Sequence, residues 1–202
     1  MKLAMLVVAG ALALAAPAAA QDDMQARMQA WSKALGVECT HCHVADNWSD
    51  ASKPIFPFAQ RMMRMVDGLN AGPMKEVGGV TCWTCHRGRS IPARLPRETW
   101  EKIRVEHAAE FEGPNRAIAM SVYAASLGVE CSHCHEADRK ANTRAPKAMV
   151  ARMLPIFEEI PKYFDDTRRP VTQCYMCHQG KIKPERTAQS LLNPAIGRRH
   201  FS

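Results

Sequence analysis

Cys39-Thr40-His41-Cys42-His43 is a five-residue word, Cys-x-x-Cys-His. It returns as Cys82-Trp83-Thr84-Cys85-His86, Cys131-Ser132-His133-Cys134-His135 and Cys174-Tyr175-Met176-Cys177-His178. The four copies use all 8 cysteines of the 202-residue chain. Two thiols three positions apart lie near one face of a helical turn, so both can reach the edge of one planar porphyrin. The histidine that follows can turn its imidazole to the iron. Structural zinc uses paired Cys-x-x-Cys without requiring a histidine directly after each pair. A dithiol redox motif is expected once, beside a βαβ pattern. The sequence therefore predicts four covalently bound haem c groups. Cys39, Cys42, Cys82, Cys85, Cys131, Cys134, Cys174 and Cys177 are the thioether positions, and His43, His86, His135 and His178 the proximal iron ligands.

Composition bounds what surrounds these words. Residues 1–20 read as a secretory signal peptide: Lys2, an apolar stretch from Leu3 to Leu14, and Ala18-Ala19-Ala20 before Gln21. No later apolar run is long enough to span a bilayer, so the mature chain, 21–202, is expected without a transmembrane segment and in a periplasm. Oxidising surroundings favour disulfides, but thioether bonds would consume every thiol. A single domain of 182 residues carrying four haems has little room for a large side-chain core. The haems are expected to form much of that core, and their removal to unfold the chain. The formal charge of +7 falls to +6 without Lys2, and eight ionised propionates would bring the reduced holoprotein near −2. Arg and Lys are then expected to pair with propionates, and no nucleic-acid partner is predicted.

The chain repeats at a spacing of 92 residues. Leu35-Gly36-Val37-Glu38-Cys39 recurs as Leu127-Gly128-Val129-Glu130-Cys131, Cys82 maps onto Cys174, and Gly88 onto Gly180. The expected fold is mainly α: a multihaem cytochrome c of duplicated dihaem units, about 21–106 and 107–202, with pseudo-twofold symmetry. Strand signals are weak. Met24, Met28, Trp31 and Leu35 recur at helical spacing, as do Met120, Tyr123 and Leu127. Phe58 to Leu69 and Lys147 to Ile160 read as longer helices, the second bent at Pro155. Thr99 to Phe111 reads as a linker helix with Thr99 as N-cap, ended by Gly113-Pro114. Arg89 to Pro96 and Lys181 to Arg199 read as extended basic surface segments.

The sixth iron position decides function. Met28 and Met120 each lie eleven residues before a motif, at matched places in the repeat. Methionines on an amphipathic stripe are commonly core, but matched placement points to distal ligands. Arg61-Met62-Met63 aligns with Arg152-Met153-Leu154 after a one-residue shift, which makes Met62 and Met153 the pair for the second and fourth haems. Met63, Met65, Met149, His107 and His200 are their rivals. His41 and His133, between their cysteines, are expected at the surface or beside propionates.

Met28 before Leu35-Gly36-Val37-Glu38-Cys39, an Arg-Met pair before the second word, and Cys177-His178-Gln179-Gly180-Lys181-Ile182-Lys183-Pro184 resemble the tetrahaem cytochrome subunit of photosynthetic reaction centres. The resemblance implies methionine distal ligands for three haems. For the fourth it implies a histidine between the second methionine and the second motif. Met65 to Thr81 holds no histidine, so Met153 is expected to fill that place and give four Met/His haems. Such ligation saturates iron and raises its potential relative to His/His. The expected role is electron transport, not enzymatic: a relay between redox-partner proteins. The alternatives are a multihaem reductase with one open haem, or a haem subunit polymerised or docked on a photosynthetic reaction centre or another membrane complex.

Overall fold

The computed structural model describes residues 18–112, 119–141, 143–164 and 173–186. The described residues are mainly helical and contain no strand, only an isolated bridge between Val44 and Asn47. The α-helices are α1 (Ala18–Leu35), α2 (Ile55–Ala71), α3 (Cys82–His86), α4 (Arg97–Glu106), α5 (Met120–Leu127), α6 (Ala145–Met153), α7 (Ile156–Glu159) and α8 (Cys174–His178). Residues 1–17, most of the expected leader, lie outside the described residues, as do His200, Gly113 and Pro114.

The Leu-Gly-Val words stop helices. Gly36 takes φ +64 after α1, and the Val37 N–H reaches back to the Ser32 carbonyl at 3.1 Å. Gly128 takes φ +65 after α5, and the Val129 N–H reaches the Ala124 carbonyl at 3.0 Å. A left-handed residue followed by this long back-bond is a Schellman stop, which glycine adopts without steric cost. Each stop is also a crossing point. The Gly88 N–H donates to the Ala34 carbonyl at 2.7 Å, and the Gly180 N–H to the Ser126 carbonyl at 2.9 Å. A Cβ on Gly36 would sit 2.1 Å from the Gly88 oxygen, and one on Gly128 would sit 2.2 Å from the Gly180 oxygen. Ala34 and Ser126 are fully buried beneath these crossings. The loop after each short motif helix therefore lies directly on the end of a longer one. Accordingly α1 packs on α3, α5 packs on α8, and α3 packs on α8.

A second packing centre joins α2 to α7 and to the 3-10 turn Ile160–Tyr163. Leu69, Met74, Val80, Ile160 and Phe164 are buried there. Phe58, Met62, Met65 and Leu69 fall on one stripe of α2, spaced four, three and four residues apart. Phe58 meets Phe164 at 5.5 Å between ring centroids. Gly68 leaves space for the turn, since a Cβ there would sit 1.8 Å from the Tyr163 hydroxyl.

The bend expected at Pro155 is present, where α6 gives way to α7. The linker differs from its reading. α4 starts at Arg97, with Pro96 at the N-cap and the Trp100 N–H on the Pro96 carbonyl at 2.9 Å, so Thr99 lies inside the first turn. Proline, with φ fixed, sets the helix entry two residues early. α4 ends at Glu106, and a separate 3-10 turn, Ala108–Phe111, folds back so that Phe111 meets Trp100 at 5.6 Å. The Glu110 carboxylate accepts from the Ser121 N–H and hydroxyl at 2.9 Å each, capping α5. Arg89 to Pro96 is irregular as expected but not wholly surface, because Ala93 and Leu95 are buried.

Gly36→Ala is expected to destabilise the protein by about 1–3 kcal/mol from backbone strain alone, with the clash on Gly88 adding to it. Ser126→Ala is expected to be neutral or to stabilise by about 1 kcal/mol, because the buried hydroxyl has no partner among the described residues. Denaturant unfolding of the two variants checks both signs.

Candidate metal centres

The four words adopt two local forms. The first and third are 3-10 turns, Cys39–His41 and Cys131–His133. In them the His43 and His135 N–H groups bond the Cys39 and Cys131 carbonyls at 3.1 and 3.0 Å. A cation steadies each turn: the Lys53 ammonium donates to the Thr40 carbonyl, and Arg144 Nη1 to the Ser132 carbonyl at 2.8 Å. The second and fourth words are one-turn α-helices, α3 and α8. The Thr81 N–H bonds Thr84 Oγ1 at 3.0 Å ahead of α3, and the Gln173 N–H meets Met176 Sδ at 3.4 Å ahead of α8. Both close on a left-handed residue, Arg87 (φ 48) and Gln179 (φ 47), then a glycine. Asn70 pins the approach to α3, donating to the Val80 carbonyl at 3.0 Å and accepting from the Val80 N–H at 2.7 Å.

All four candidate iron ligands are held by the same atom. His43 Nδ1 lies 2.8 Å from the Trp48 carbonyl, and His86 Nδ1 lies 2.9 Å from that of Arg89. His135 Nδ1 is 3.1 Å from the Arg139 carbonyl, and His178 Nδ1 is 3.0 Å from that of Lys181. A carbonyl only accepts, so Nδ1 carries the proton and Nε2 keeps its lone pair. That is the tautomer and the orienting bond a metal-ligating histidine requires. Burial lowers the pKa of His86 and His178, which favours the neutral, ligating form. His43 is further set edge-on between Phe56 at 5.5 Å and Trp48 at 6.0 Å.

The thiols are available for covalent attachment, and burial holds several of them protonated. All eight are free. Burial pushes Cys82 and Cys174 up to about 11. Cys85 is pushed up first by its hydrogen bond to Cys177 across the α3–α8 contact and then by burial, while the same bond lowers Cys177. Among the described residues, no three His, Cys, Asp or Glu side chains gather where they could hold a bare metal ion. Each word carries one oriented imidazole and two free thiols, a donor set that fits a metal carried in its own macrocycle. At the third word an open hollow of about 460 Å³ is lined by Cys131, His135, Arg139 and Arg144 among others.

A family model described as photosynthetic reaction centre cytochrome C subunit matches residues 18–130, from α1 to the residue before Cys131. The chain belongs to the reaction-centre cytochrome c subunit family. The photosynthetic reaction center cytochrome c subunit of Rubrivivax gelatinosus is 25% identical over 223 aligned residues, covering 75% of this chain and 60% of the relative. That of Thermochromatium tepidum is 38% identical over 56 residues, covering 27% of this chain and 14% of the relative. The chain thus spans about 60% of the length of the first relative.

The reaction-centre cytochrome family is one of haem c proteins, and its match takes in the first two words whole. The candidate distal residues are distributed unevenly. Met62, Met65 and Met153 are each partly buried and pack against the buried cluster of the α2–α7 centre. Met28 is half-buried on α1, whereas Met120, the first residue of α5, is 44% exposed. Met63 is half-buried, and Met149 is 44% exposed. His107 Nδ1 lies 3.5 Å from Glu110 Oε1. His41 is exposed and His133 half-buried. Sequence reasoning missed Met74, which is only 5% exposed in the same centre, eight residues before Cys82. The signal was its nearness to the second word. The repeat gives it no matching methionine, since the residue 92 positions on is Asp166.

No helix among the described residues is long and apolar enough to cross a membrane.

Asn70→Ala would leave both the N–H and the carbonyl of Val80 unpaired beside α3. It is expected to cost about 1–3 kcal/mol while leaving all haem-attachment residues in place. Chemical denaturation, alongside a haem assay of the folded variant, reads both.

Proposed function

We propose that this chain is an exported, periplasmic tetrahaem c-type cytochrome that relays electrons between redox-partner proteins. The observation that carries the reading is the fourfold Nδ1–carbonyl bond, which leaves one ready Nε2 donor beside each pair of thiols. Bound haem would supply reversible one-electron exchange between ferric and ferrous iron. The chain's part is to anchor, orient and shield. The eight thiols form the thioether links, and His43, His86, His135 and His178 are the proximal ligands. Met28, Met62, Met120 and Met153 are the distal candidates, with Met74 added by its burial in the α2–α7 centre eight residues before Cys82.

Packing supports the arrangement as two dihaem units. α3 meets α1 on one side and α8 on the other, and α8 meets α5. The turn Cys39–His41 adjoins α1, and the turn Cys131–His133 adjoins α5. The contacts therefore order the words first, second, fourth, third, with the second and fourth inside. Matched glycine crossings on both sides of the α3–α8 contact support the duplication and its pseudo-twofold relation. Partners of the relatives' class, a photosynthetic reaction centre above all, are the natural candidates for one end of the relay.

A redox titration of the full holoprotein tests this. Met28→His or Met120→His should each lower one of four potentials and keep four haems bound, because an imidazole replaces a thioether ligand. Potentials unmoved in both variants would show that these methionines are not ligands. Carbon monoxide binding at one haem per reduced chain would replace the relay with a reductase that keeps an open iron.

A further inference from the structure

The α3 turn and its C-cap carry two buried hydrogen-bond donors left unused among the described residues. Trp83 Nε1 and Arg87 Nε are both buried, and neither has a partner among the described residues. They lie four residues apart, at the two ends of the single turn of α3. Arg87 reaches across the contact, where Nη2 donates to the Cys177 carbonyl of α8. None of the ion pairs found among the described residues supplies it with a carboxylate. A half-buried guanidinium with an idle N–H and no counter-anion is costly unless something else supplies the anion. The second half does not reproduce the feature. Its corresponding residues are Tyr175 and Gln179, and the Gln179 amide is occupied by the Met176 carbonyl of its own helix at 3.3 Å.

We propose that Trp83 and Arg87 form a two-donor seat for a haem propionate at the contact of the second and fourth words, and that Arg87 thereby raises the potential of the inner haems. The inference rests on the haem reading above. A propionate is a carboxylate, the acceptor that guanidinium and indole N–H groups best satisfy, and every haem brings two. A fixed cation beside the iron disfavours the additional positive charge of the ferric state. Because the guanidinium is anchored on the Cys177 backbone, its field falls on the fourth word as well as on its own. The pair is thus electrostatically unequal at a place where backbone packing is matched. Arg87 acts here as a positioning and tuning residue.

The test uses the full holoprotein with Arg87→Gln, Arg87→Lys and Trp83→Phe, measuring haem content and all four potentials. Arg87→Gln should keep four haems and shift the potential of at least one inner haem downward, leaving the two outer ones unmoved. The outer haems are marked by their response to Met28→His and Met120→His. Arg87→Lys should shift it less, because the charge remains. Four unchanged potentials in Arg87→Gln, or an equal shift in Arg87→Lys, overturns the proposal, the second because packing alone would then account for it. If Arg87→Gln fails to assemble, Trp83→Phe decides: a lowered inner potential supports the seat, and unchanged potentials overturn it. A wild-type protein lacking four haems would instead defeat the parent reading.

Discussion

The bond from an imidazole Nδ1 to a backbone carbonyl, made four times, is what the rest of this molecule serves. It fixes the tautomer, aims Nε2, and ties each word to the loop that follows it. The acceptors differ in sequence, being the carbonyls of Trp48, Arg89, Arg139 and Lys181. A carbonyl acceptor makes no demand on side-chain identity, so the loops after the words are free to vary. What they must supply is a backbone path that returns within three to five residues of the histidine. Glycine 88 and glycine 180 help shape that path after the second and fourth words, with φ of 78 and 76.

The second constraint is the thinness of the polypeptide core. Among the described residues, several of the buried apolar positions are alanines: Ala30, Ala34, Ala93 and Ala119. Larger buried side chains concentrate in the α2–α7 centre. Small residues at the α1–α3 crossing let backbones touch, but they bury little area each. The close backbone approaches at Gly36 and Gly128 therefore set geometry more than they contribute stability. A chain built this way would be stabilised further by any group that binds its native state. Prosthetic groups that fill the space between short helices fit that role.

The cofactor class, the helical class and the stripes that form α1 and α5 were legible in the sequence, because each is written locally. Cys-x-x-Cys-His states its chemistry within five residues, whereas Leu-Gly-Val was read only as a repeat and its role as a helix stop emerged with the positive φ of Gly36 and Gly128. The start of α4 was misread because Thr99 is a good capping residue, while Pro96, directly before Arg97, fixes the backbone first. The α3–α8 contact left no trace in periodicity, since five-residue helices are too short to show one. Asn70 on Val80, Met74 in the α2–α7 centre and the idle donors of Trp83 and Arg87 are tertiary facts of the same kind. Each depends on which segments meet, and a single sequence records that only where the meeting demands a glycine.

The central claim is that every word holds a haem through both of its cysteines. Intact-mass spectrometry of the exported full-length protein, with and without a thiol-alkylating reagent under denaturing conditions, tests it most directly. The account predicts a mass increased by four haems and no alkylation at any of the eight cysteines. Fewer than four haems with a reactive cysteine pair, or a disulfide within any word, would contradict it.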